Sequence, residues 1–114
     1  MTIEGASERF GVPLEKLRLY EKQGLFDCHR QPEGNIDYTD ELMDYIGIIN
    51  VLTEAGAEAE TLRSFMRKLM QSEISKEEKI RYLRTQRAKL LENIHSKQKS
   101  LDQLDYIIFN ENRA

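Results

Sequence analysis

Apolar residues recur at helical spacing in five stretches of this 114-residue chain. In the first, about residues 2–10, Thr2 offers a capping hydroxyl, and Ile3, Ala6 and Phe10 share a face that should turn inward. The second, about 13–23, follows Gly11. Pro13 suits a first helical position there, Leu14 and Leu17 point inward, and Gly24 suits a left-handed stop. Lys16, Arg18, Tyr20 and Lys22 are left to face solvent or a partner. The third, about 40–55, opens on Thr39 with Asp40 and Glu41 in its first turn and carries Leu42, Tyr45, Ile46, Ile49 and Leu52. The fourth, about 58–71, begins beyond Gly56 with Leu62, Phe65, Met66 and Leu69 as its core face. Residues 26–38 break the period. Pro32, Gly34 and Asn35 are turn formers between short, weakly alternating flanks, which predicts a small β-hairpin.

The fifth stretch, 75–110, has neither Gly nor Pro. Ile80, Leu83, Leu90, Ile94, Leu101, Leu104 and Ile108 fit a heptad seam, interrupted by Arg87 and Lys97. At about 1.5 Å per residue this helix is roughly 50 Å long. A helix apolar on one side is not stable alone in water, and a second copy of the chain is the evident partner. The predicted architecture is mainly α: a helix-turn-helix module with a wing over residues 1–71, then a coiled-coil dimerisation helix.

A short helix entered from a tight turn, with Arg18 and Tyr20 on its outer side, is how a helix-turn-helix presents itself to DNA. Gly11-Val12, then Leu17-Arg18-Leu19-Tyr20-Glu21, then Gly24-Leu25 resembles the signature of the MerR family of bacterial transcription regulators. Leu19 stands where that family usually has an aromatic. The opening Thr2-Ile3 pair and the break at Gly56 are similar to the family as well. The family wing reads Gly-Tyr-Arg-x-Tyr; here Gly34-Asn35-Ile36-Asp37-Tyr38 keeps the tyrosine, loses the arginine and places an acid beside it. The resemblance implies a homodimer joined by a long antiparallel coiled coil, bound to a palindromic promoter that it bends or untwists, with RNA polymerase as a further partner.

Charge complicates this picture. Formal net charge is −3. Residues 1–71 hold 8 Lys and Arg against 13 Asp and Glu, a balance of −5, whereas residues 72–114 hold 9 against 7 and carry +2. Phosphate contacts supply much of DNA affinity, so the module expected to meet DNA is the acidic part. Only its docking face needs to be positive.

The expected contacts to double-stranded DNA are Leu14, Glu15 and Lys16 at base edges, with Arg18, Tyr20, Arg30 and Tyr38 on the backbone. The plainer reading of the helix residues is a solvated face with one partly packed tyrosine. Cys28, the single cysteine, reads as a small packed residue and excludes a disulfide or Cys-pair metal site within one chain. His95 reads as a solvated helix position. Residues 106–109 are apolar on several sides and read as packing against a partner's DNA-binding module. No catalytic constellation, cofactor motif or metal set is visible, which points to a non-enzyme. Without a signal peptide or membrane-length run, the expected location is the cytoplasm. The competing reading is a relative that has lost DNA affinity and works through protein–protein interaction.

Overall fold

The computed structural model describes residues 1–113. The chain folds as α1 (Ile3–Phe10), α2 (Leu14–Lys22), a 3-10 turn (Asp27–His29), α3 (Asp40–Glu54), α4 (Ala59–Met70) and α5 (Lys76–Arg113). Thr2 caps α1 by accepting from the Gly5 N–H, and Thr39 caps α3 by accepting from the Leu42 N–H, each at 3.1 Å. Such caps satisfy N–H groups that no helical carbonyl can reach.

The core lies among α1 to α4 and the segment joining α2 to α3. Its largest fully buried side chains include Tyr20, Tyr38, Phe26, Leu17, Leu42, Ile49 and Met66. Each aliphatic member contributes roughly 1.5–3 kcal/mol through removal from water. Phe26 sits at the centre, with Tyr20 edge-on at 6.1 Å and Tyr38 edge-on at 5.7 Å between ring centroids. Ala6 is fully buried, and its small side chain lets α1 lie close on α2. Phe10, expected in this core, is 40% exposed; it sits at the end of α1 with the Arg9 guanidinium over its ring. Helix α1 ends at the left-handed Gly11, so Phe10 falls beyond the part that faces α2.

The segment expected to be a hairpin is a loop closed by one antiparallel bridge, Arg30 to Ile36. Its flanks lack a continuous alternating face to bury: Ile36 and Tyr38 turn inward, while residues 30–35 stay exposed. Cys28 is exposed on the 3-10 turn rather than packed, because Phe26 takes the inward position there.

Helix α5 is preceded by Ser75, whose hydroxyl accepts from the Glu78 N–H at 3.1 Å. It is pinned to α4 by a Phe65–Tyr82 stack, 4.1 Å between centroids with planes 14° apart, and by a Lys68–Glu78 ion pair at 2.7 Å. Over its 38 residues only Gln86 is buried. The seven expected seam residues, Ile80, Leu83, Leu90, Ile94, Leu101, Leu104 and Ile108, are all 37–57% exposed. No described helix is long and apolar enough to cross a membrane.

Candidate nucleic-acid interface

Helix α2 owes its position to both of its ends. At the start, Ser7 donates its hydroxyl to the Val12 carbonyl at 2.6 Å and holds the turn between α1 and α2. Pro13 is the capping residue rather than the first helical one, with extended ψ of 133°. At the finish, the Leu25 N–H reaches the Tyr20 carbonyl and the Gly24 N–H the Glu21 carbonyl, at 3.1 and 3.0 Å. This double closure requires a left-handed residue, and Gly24 supplies it with φ of +77°. A Cβ there would also meet the Arg63 side chain at 3.1 Å and Asp27 at 3.0 Å.

Between these ends the helix divides cleanly. Leu17 and Tyr20 face the core, and Leu14 and Glu21 are half-buried beside them. Glu15, Arg18, Leu19 and Lys22 are exposed, and their spacing of three, four and seven places them on one stripe. Lys16 flanks it, half-buried. Arg18 lies 3.9 Å from Glu4, both side chains about three-fifths exposed at 61% and 66%. Such a solvated pair contributes little and exchanges readily for another anion.

Two of the expected backbone contacts are corrected. Tyr20 is 1% exposed and donates its hydroxyl to Asn50 Oδ1 at 3.1 Å. Tyr38 is equally buried against Phe26, and its hydroxyl has no hydrogen-bond partner among the described residues. Both are aromatic packing residues, held edge-on against the buried Phe26 ring. Burial pushes both hydroxyls above the ordinary tyrosine range; the Glu21 carboxylate raises Tyr38 further. Leu19 and Lys22, absent from the expected contact set, occupy the exposed stripe instead. The signal in the sequence is helical spacing, four residues from Glu15 to Leu19 and four from Arg18 to Lys22.

Arg30 is exposed but engaged within the loop: it donates to the Gly34 carbonyl at 2.7 Å and pairs with Asp27 at 3.0 Å. Ile36, at the place of the family's wing arginine, is 6% exposed and belongs to the core. Asp37 accepts from the Met1 amino group at 3.2 Å, so part of its charge is balanced. Glu4, Glu21, Glu33 and Asp37 nevertheless line one depression beside the loop, and this side of the module is acidic. Among the described residues no group of three or more His, Cys, Asp or Glu is placed to hold a metal.

The fold matches solved structures along nearly its whole length. A MerR family transcriptional regulator from Bacillus thuringiensis is 22% identical, covering 96% of this chain and 97% of its own, with a TM-score of 0.76. A Listeria monocytogenes chain assigned to the same family is 30% identical over 98% of this chain and 86% of its own, TM-score 0.73. HiNmlR, described as a MerR family regulator lacking the sensor domain and bound to promoter DNA, is 24% identical over 99% and 90%, TM-score 0.74. No curated protein sequence gives a significant match. The family model for MerR helix-turn-helix regulatory proteins matches residues 1–69, which contain α1 to α3, the acidic loop and all of α4 but its last residue. This chain belongs to the MerR family of helix-turn-helix transcription regulators, which are not enzymes.

Proposed function

We propose that the chain is a homodimeric regulator that sets α2 into the major groove of each half of a palindromic promoter site. The observation that carries this reading is the exposed α2 stripe of Glu15, Arg18, Leu19 and Lys22, framed by Leu14 and Lys16. Arg18 and Lys22 have the reach to grip phosphates. Leu14, Glu15 and Lys16 lie at the helix start, where base edges are met. HiNmlR, similar in fold throughout, is a promoter-bound regulator without a sensor domain.

Pairing rests on α5. A run of 38 helical residues with its apolar seam in water is unstable alone, and a second α5 covers that seam. On α3, Ile48 and Val51 are 38% and 68% exposed beside an apolar groove that also involves Leu69 and Leu83. In an antiparallel pair, residues 106–109 of the second copy reach this groove. Two-fold pairing then matches two half-sites and predicts their spacing. Distortion of the promoter, with RNA polymerase as further partner, follows if both modules hold their phosphates while the DNA adjusts to that spacing. The protein acts in the cytoplasm, where its DNA is.

A second reading, a MerR relative acting through protein–protein contacts, is supported by the acid-lined depression beside the loop and the internal engagement of Arg30. Fluorescence anisotropy of the purified protein on the promoter upstream of its own gene, across a salt series, separates the two. Specific binding that weakens steeply with salt, and loses about one unit of salt slope per half-site in Arg18→Ala, supports DNA regulation. A folded dimer that stays unbound at low salt supports the second reading.

A further inference from the structure

On the side of α5 away from the seam, a cleft of about 410 Å³ opens between α4 and α5. That volume lies within the range that small molecules occupy, roughly 300–1,000 Å³. Its α5 wall carries Arg81, Thr85 and Lys89, four residues apart and therefore in one row. The seam residues Ile80, Leu83 and Leu90 take no part in it. A second copy seated on the seam therefore leaves the cleft open.

Two features mark it as a site rather than a gap. The first is orphaned polarity. Gln86, 3% exposed, lines the cleft and is the one buried polar or charged residue among those described. Its Oε1 and the neighbouring Tyr82 hydroxyl are buried with no hydrogen-bond partner among the described residues. An unsatisfied buried group of this kind calls for a partner, commonly a water or a ligand. The Thr61 and Thr85 hydroxyls donate to the Glu58 and Arg81 carbonyls, at 3.1 and 3.0 Å, which leaves their oxygens able to accept. The second feature is charge. At one end Lys68 is neutralised by Glu78 at 2.7 Å. Arg81 and Lys89 have no carboxylate within ion-pair distance among the described residues. The cleft is thus positive within a chain of net charge −3. Phe65 and Ile74 supply an apolar wall.

We propose that the α4–α5 cleft binds a small organic anion with an apolar body and a hydroxyl group. The anionic group meets Arg81 or Lys89 and accepts from Tyr82, the hydroxyl donates to Gln86, and the body lies along Phe65. The cleft sits at the elbow between the N-terminal module and α5, so its occupancy bears on the angle between them. An effect on DNA binding would rest on the reading above, whereas ligand binding itself does not.

The test uses the full chain with 4-hydroxybenzoate as probe and 4-hydroxybenzamide as its uncharged counterpart. Calorimetric titration is paired with amide chemical shifts. Saturable binding of the carboxylate, at least tenfold tighter than the amide, with shifts at Thr61, Thr85 and Gln86, is expected. Arg81→Glu should weaken it tenfold or more, and Gln86→Leu should weaken it while the circular dichroism spectrum is retained. Lys99→Glu, an equal charge change farther along the same helix, should leave affinity unchanged. Absence of saturable binding at millimolar concentration overturns the proposal. So does equal affinity for acid and amide, or equal loss in Arg81→Glu and Lys99→Glu.

Discussion

The Tyr20 hydroxyl donates to Asn50 Oδ1 across 3.1 Å and ties α2 to α3. It belongs to the scaffold behind the candidate DNA face. Tyr20→Phe keeps the ring against Phe26 and removes the hydrogen bond. Stability should fall by about 1 kcal/mol in urea denaturation. Affinity for promoter DNA should stay within about twofold once folding is complete. A loss comparable with that of Arg18→Ala would return Tyr20 to the contact set.

The seam on α5 predicts a sharp response to charge. Ile94, at 54% exposure in one chain, lies within the predicted seam. Ile94→Asp introduces a carboxylate that pairing would bury without a partner, at a cost of several kcal/mol. Analytical ultracentrifugation should show a dimer for the native chain and a shift toward monomer for this variant at micromolar concentration. A charge change outside the seam, Glu92→Lys, should leave the sedimentation coefficient nearly unchanged. Equal behaviour of both variants would remove the seam as the dimer contact.

Three tyrosine hydroxyls, Tyr20, Tyr38 and Tyr82, are raised above 10.0, chiefly by burial. Above that pH the unfolded chain loses these protons while the folded chain keeps them. The unfolded state then binds fewer protons, so stability falls as pH rises. Denaturant midpoints should be insensitive to these groups below pH 10 and should decline from about pH 10 upward. Tyr38→Phe should flatten the decline. An unaltered slope in that variant would mean that the Tyr38 hydroxyl is not held neutral in the fold.

Ser72 adopts φ of +56°, with the Glu73 N–H on the Lys68 carbonyl at 2.8 Å and the Ser72 N–H on the Leu69 carbonyl at 3.2 Å. This is the same double closure that Gly24 makes at the end of α2, formed here by a residue with a Cβ. Ser72→Gly should relieve a left-handed conformation that costs roughly 1–2 kcal/mol, less the extra chain entropy of glycine. A net gain of about 0.5 kcal/mol should show as a rise in melting temperature. A fall would mean that the side chain stabilises the elbow.

Much of this protein follows from local rules that a sequence displays. Thr2, Thr39 and Gly24 carry their capping roles in their own chemistry, and helical periodicity marks the buried faces of α3 and α4. The Gly11-Val12 turn and the segment from Leu17 to Leu25, where helix boundaries and packing positions lie close together in sequence, fall within residues 1–69 that the family model matches. What tertiary structure decided is where amphipathic side chains went. A tyrosine is large enough to fill a core and polar enough to meet DNA; Tyr20 and Tyr38 were drawn in by Phe26, which no local rule reveals. The same competition turned Ile36 inward and left the loop one bridge instead of a hairpin. The α4–α5 cleft had no signature in sequence order, since Thr61 and Gln86 become neighbours only when α5 folds back on α4. Periodicity assigns a residue to a face, but burial depends on what the rest of the chain brings to meet it.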